Sequence, residues 1–186
     1  MSAKSVLDDA TSKFEKSIQH LQEQMRGIRT GRASTALVEN VRVDYYGTPT
    51  PLSQMASISI PEPRQIIVKP FDVSVLKEIS KALAKTDLGS TPQEDGKLMR
   101  LTLPPLSGEQ RQKYVAKVKE MGEESRIALR NTRRELNKQS DGMQKDGEIT
   151  QDENHKLHGD VQDLLKKYEK QIDELLGKKV EEIQEV

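Results

Sequence analysis

The sequence predicts an α+β protein: an elongated three-helix bundle with a small α+β domain inserted after its first helix. Three observations point there. Segments 3–29, 107–146 and 150–183 carry apolar residues at steps of three and four, the spacing of one helix face. Between Ala33 and Leu103 that spacing gives way to short alternating runs separated by turn residues, and all eight prolines lie between Pro49 and Pro105. Only 33% of the 186 residues are hydrophobic, which suits a surface-rich, extended architecture better than one globule.

In the first helix, Leu7, Ala10, Phe14, Ile18, Leu21, Met25 and Ile28 form the apolar stripe. Ser5 with Asp8 resembles a capping box, although both could equally lie inside a helix that starts earlier. Gly31, in Arg29-Thr30-Gly31-Arg32, suits the left-handed residue that closes a helix. In the insert, Val41, Val43 and Tyr45 predict a strand, which Gly47-Thr48-Pro49-Thr50-Pro51 then breaks. Ile58 with Ile60 predicts a second strand and Ile66, Ile67 and Val68 a third, ended by Pro70. Asp72 and Ser74 offer N-caps for a short helix over 74–86, with Val75, Leu76, Ile79 and Leu83 facing a sheet. Asp87-Leu88-Gly89 and Pro92 to Gly96 read as turns, and Met99, Leu101 and Leu103 as the last strand. The insert meets the helical part only near Thr30 to Arg32 and near Leu103 to Leu106, a paired connection that works as a hinge if few contacts cross it.

Ser107 opens the second helix, expected to reach Asp146 and to span about 60 Å if straight. Tyr114, Val118, Met121, Ser125, Ala128 with Leu129, Thr132, Leu136 and Met143 face its partner helices. Gly142 and Gly147 weaken and end it, and Thr150 with Glu153 forms a capping box for the third helix. There Leu157, Val161, Leu164, Tyr168, Ile172, Leu175, Val180 and Ile183 make the stripe. Three helices, each apolar on one side, bury those stripes only against each other.

At 100° per residue, Arg126, Arg130, Arg133 and Arg134 cluster on an outward face of the second helix, with no acidic residue between positions 126 and 134. Two readings stand side by side. One is a solvated face with ordinary pairs such as Glu123 with Arg126. The other is a grip for a polyanion, favoured by arginine at all four places, because a planar guanidinium matches phosphate bidentately. Arg111 and Lys119 lie on roughly the same side.

Lys plus Arg and Asp plus Glu each count 30, so nucleic-acid binding has to come from local charge placement and not from a general positive field. The absence of Cys removes disulfides, thiolate zinc sites and a cysteine nucleophile, and suits a cytoplasmic setting. Met1-Ser2-Ala3-Lys4 runs into amphipathic helix with no transit-like leader, and no run approaches a membrane span of about 20 apolar residues. Six aromatic residues and no Trp argue against a platform stacking single-stranded bases. His155 and His158 are three apart, but no third metal ligand accompanies them. Gly-rich phosphate loops and a serine–histidine–acid context are absent, so no cofactor, metal or catalysis is expected. A coiled-coil scaffold binding protein partners through its charged faces is the competing reading. It differs in depending only weakly on the four arginines.

Several stretches, in order, resemble the ribosome recycling factor family over essentially the full length. They are Arg29-Thr30-Gly31-Arg32-Ala33, Val43-Asp44-Tyr45-Tyr46-Gly47 with Pro51-Leu52, and Lys69-Pro70-Phe71-Asp72. Asp87-Leu88-Gly89, Asp95-Gly96, Pro104-Pro105-Leu106, Arg130-Asn131 and Arg133-Arg134 follow. Where the family commonly shows an acid and a second arginine after the proline pair, this chain has Gly108 and Gln110, and Arg111 remains. The resemblance implies an L-shaped protein. Its domain I, residues 1–30 and 106–186, is the three-helix bundle, and its domain II, residues 31–105, is a β/α/β unit. The two-stranded hinge between them comprises Thr30, Gly31, Arg32, Pro104, Pro105 and Leu106. The resemblance further implies a cytoplasmic monomer that binds the post-termination ribosome through 23S rRNA of the 50S subunit. With elongation factor G and GTP it promotes dissociation into subunits and release of mRNA and tRNA. Arg130 and Arg133 are the leading RNA contacts by this resemblance, then Arg111, with Arg134, Arg29 and Arg32 as further candidates, to which the helical stripe adds Arg126.

Overall fold

The computed structural model describes residues 3–185. They fall into two compact units, one made of residues up to Met25 with Val115–Glu181, the other of Arg26–Tyr114 with the chain from Glu182 onward.

The first unit packs three helices: α1 (Ala3–Arg26), α5 (Gly108–Lys145) from Val115 on, and α6 (Gln151–Gln184) up to Glu181. Val6, Ala10, Leu136, Met143, Ile149, Leu157 and Val161 form one apolar cluster fed by all three. Phe14 meets Tyr168 edge to face with ring centroids 5.4 Å apart, the geometry that ring quadrupoles favour. The buried row of α6 runs Asn154, Leu157, Val161, Leu165, Tyr168, Ile172 and Leu176. Leu165 and Leu176 thus replace the expected Leu164 and Leu175, because adjacent leucines satisfy a 3.6-residue period almost equally and packing chooses between them. Val6 displaces Leu7 on α1 for the same reason.

Helix ends follow side-chain chemistry. The Thr150 backbone N–H donates to Glu153 Oε2 at 2.8 Å and the Glu153 N–H to Thr150 Oγ1 at 3.3 Å, closing the expected capping box. Gly147, at φ +75°, takes the left-handed turn after α5. Ser5 lies inside α1, so Ser5 and Asp8 do not begin it. Nor is Gly31 left-handed, the conformation expected of a helix-closing residue. The absence of a side chain there admits the Glu185 carbonyl oxygen, 3.1 Å from where a Cβ would stand.

The second unit contains two antiparallel sheets. A ribbon pairs β1 (Arg42–Tyr45) with β2 (Thr48–Pro51), and a four-stranded sheet has the order β3 (Ala56–Glu62), β4 (Gln65–Pro70), β6 (Leu98–Thr102), β5 (Gln93–Asp95). Short helices α2 (Ala36–Glu39), α3 (Leu52–Met55) and α4 (Leu76–Ala84) complete it. Ile66 opposes Leu101 and Val68 opposes Met99, so one sheet face offers four directly paired apolar side chains. Leu76, Ile79 and Leu83 of α4 share a buried cluster with them. Residues 48–51 and 93–95, read from sequence as breaks, are therefore strands, and α2 and α3 are elements the periodicity left unassigned.

Candidate nucleic-acid interface

The buried face of α5 comprises Val118, Gly122, Ser125, Leu129, Leu136, Ser140 and Met143. Arg126 and Arg130 each follow one of these by a single position, and Arg133 follows half-buried Thr132. A step of 100° from the buried row puts them on its flank, against α6. The structure bears this out in a ladder of contacts. Arg126 pairs with Asp173 of α6 and with Glu123 Oε2 at 3.2 Å. Arg130 Nε donates to Glu169 Oε1 at 3.1 Å, and its Nη1 stands 3.6 Å from Glu123 Oε1. Arg133 Nη1 donates to a neutral partner, Gln162 Oε1, at 2.7 Å, while its Nε is buried without a partner. Arg134, two steps beyond the seam, is exposed and has no partner among the described residues.

The outward row expected of four free guanidiniums is thus two populations. Arg126 and Arg130 are held by carboxylates, and Arg126 and Arg133 are half-buried. Arg133 and Arg134 keep uncompensated charge. Four cations against Glu123, Glu169 and Asp173 leave a net charge of one. The hydrogen bond to Asp173, then that to Glu123, raises the Arg126 pKa against the opposing effect of burial. No carboxylate interrupts residues 126–134, yet two of the neutralising groups come from α6, some 40 residues away in sequence. Only the helix register could have revealed them.

The other candidate arginines lie in the second unit. Arg111 donates from Nη1 to the Gln184 carbonyl at 3.1 Å, and its Nε is buried without a partner. Arg32 is exposed, 3.8 Å from Glu185. Arg29 is only 5% exposed and its guanidinium is occupied by two carbonyls, Leu88 O at 2.8 Å and Pro104 O. A group enclosed in this way fastens chain segments and presents nothing to an RNA phosphate. Among the expected hinge residues, the Thr30 hydroxyl exchanges hydrogen bonds with the Arg32 backbone at 3.3 and 3.4 Å, Pro104 supplies the carbonyl that Arg29 holds, and Leu106 is buried. Pro105 is exposed.

His158 Nε2 lies 3.2 Å from Asp141 Oδ1, but among the described residues no three His, Cys, Asp or Glu side chains gather as a metal site. Sequence reading missed the polar knot beside it. The Ser140 hydroxyl donates to Asn154 Oδ1, and Asn154 Nδ2 donates to Asp141 at 3.0 Å and Gln144 at 2.6 Å. Asn154 sits three residues before Leu157 on the buried row, which was the available signal.

The ribosome recycling factor family model matches residues 21–183. The chain belongs to the ribosome recycling factor family. A ribosome-recycling factor of Pseudothermotoga lettingae is 45% identical over 97% of this chain and 98% of its own length. One from Desulforapulum autotrophicum is 44% identical over 96% of each. Among solved structures, the solution structure of a ribosome recycling factor aligns with a TM-score of 0.78 at 33% identity, covering 100% and 99% of the two chains. A Thermus thermophilus ribosome recycling factor, placed with Escherichia coli elongation factor G on the Escherichia coli post-termination complex, aligns with a TM-score of 0.68 at 34% identity over both full chains. At the start of α5, Gln110 and Ser107 cap the helix together. The Gln110 N–H donates to Ser107 Oγ and the Gln110 side-chain oxygen accepts from the Ser107 N–H, both at 3.2 Å, a reciprocal capping box with glutamine as its third helical residue.

Proposed function

We infer that this member of the ribosome recycling factor family acts on the post-termination ribosome. It binds 23S rRNA of the 50S subunit and, with elongation factor G and GTP, promotes separation of the subunits and release of mRNA and tRNA. The observation that carries the reading is the match along nearly the whole chain to ribosome-recycling factors, one of which is described together with elongation factor G on a post-termination complex. The work is mechanical, not catalytic. Arg133 and Arg134 supply uncompensated charge for the RNA backbone, and Arg130 adds a guanidinium 46% exposed that can exchange its carboxylate for a phosphate. Arg111, Arg126 and Arg32 extend the footprint, whereas Arg29 acts on the fold. Residues 30–32 and 104–106 form the hinge through which domain II, residues 31–105, moves while the helical bundle stays anchored. The GTPase provides the driving energy, and the factor needs no cofactor of its own. It works as a monomer in the cytoplasm.

Light scattering of purified 70S post-termination complexes with this protein, elongation factor G and GTP tests the reading. Scattering should fall as subunits separate, and only with all three added. Undiminished scattering would defeat it.

A further inference from the structure

We propose that Glu123, Glu169 and Asp173 determine the selectivity of the arginine row, withholding Arg126 and Arg130 from random polyanions and yielding them only to a folded RNA surface that engages several guanidiniums together. The proposal rests on the reading that this row binds ribosomal RNA. Its ground is the asymmetry of the ladder: two neighbouring arginines are held by three carboxylates, whereas the next two have an amide or nothing. A phosphate approaching Arg126 or Arg130 meets the negative charge of the bound carboxylates and has to displace an existing charge-assisted bond. A random duplex recovers that cost poorly, because its phosphates match few guanidiniums at a time. A complementary surface meets Arg133 and Arg134 first and then offers phosphates to all four, so bonds formed along the rest of the row offset the exchange. Repulsion aimed at the wrong ligand gives discrimination that attraction alone does not. Glu123, Glu169 and Asp173 are positioning residues in this scheme and touch no RNA.

The test compares the double variant Glu169→Gln, Asp173→Asn with the parent protein. Affinities for 50S subunits and for a random-sequence RNA duplex are measured from 50 to 200 mM salt. Duplex affinity should rise about fivefold for each carboxylate neutralised, the factor for a unit charge ~4 Å away in water. Its salt dependence should steepen by up to about two units as Arg126 and Arg130, then held by Glu123 alone, join the phosphate contacts. Binding to 50S should rise by less, so the ratio of the two affinities falls. A matched control, Asp9→Asn with Asp163→Asn, removes the same charge from carboxylates that pair with Lys13 and Lys166 and not with the row. Its ratio should stay at the parent value. An unchanged ratio in the first variant, or an equal fall in the control, overturns the proposal. Arg133→Ala with Arg134→Ala in the parent separates the two ideas: if 50S binding survives that change the rRNA reading fails, and if binding is lost while the carboxylate variant keeps its ratio only the selectivity proposal fails.

Discussion

A buried guanidinium at position 29 ties together residues 59 and 75 positions further along the chain. Its opposite is Arg134, exposed and without a partner among the described residues. The two are indistinguishable as letters, because burial of a polar head depends on contacts made far away in sequence. Removing Arg29 strands two carbonyls in a dry site, so Arg29→Ala should cost about 2–3 kcal/mol of stability in denaturant unfolding. Lysine, which lacks the fork, should restore part of it. Arg134→Ala should change stability by less than ~0.5 kcal/mol, as surface substitutions do, while weakening 50S binding and flattening its salt dependence by roughly one unit. A normal melting curve for Arg29→Ala would remove its structural role.

Among the elements, the clearest local instruction is the cap on α6. Thr150→Ala should lower stability by about 1 kcal/mol. The backbone and then the side chain of Thr150 hold the Glu153 carboxyl below its ordinary pKa. A lowered folded-state pKa means that this contribution is present above the usual glutamate range and is lost as the pH falls through the folded value. The gap in thermal stability between parent and Thr150→Ala should therefore narrow on acidification below ~4.3. A gap that widens there would contradict the cap. Such signals, with the helical periodicity, made α1, α4, α5, α6 and strands β1, β3, β4 and β6 legible in the sequence. β2 was hidden because Pro49 and Pro51 look like breakers. In a two-stranded ribbon, residues two apart direct their missing donors to the same free edge, where proline is tolerated. β5 is three exposed residues whose strand character comes from pairing with β6 and not from any pattern of its own. The arginine ladder was half legible: the row was visible on α5, but its carboxylate partners depended on the register of α6.

On the scale of the whole molecule, one apolar cluster lies among the three helices and another within the inserted residues, and the proposed action needs the helical bundle to anchor while residues 31–105 move. Pro104 and Pro105 restrict the backbone where the chain returns from the insert. Replacing both with alanine should slow splitting of post-termination complexes several-fold more than it weakens 50S binding. Equal effects on both would assign the prolines to anchoring and not to motion. The family match fixes what the molecule is related to, while anchoring by the arginines of α5 is the physical claim on which the mechanism rests. The most direct measurement is the affinity of the Arg133→Ala, Arg134→Ala variant for 50S subunits between 50 and 200 mM salt, beside its helicity and melting. Unchanged folding should accompany binding weakened at least tenfold at the lower salt, with a slope shallower by about two units. Affinity and slope equal to those of the parent would contradict the account.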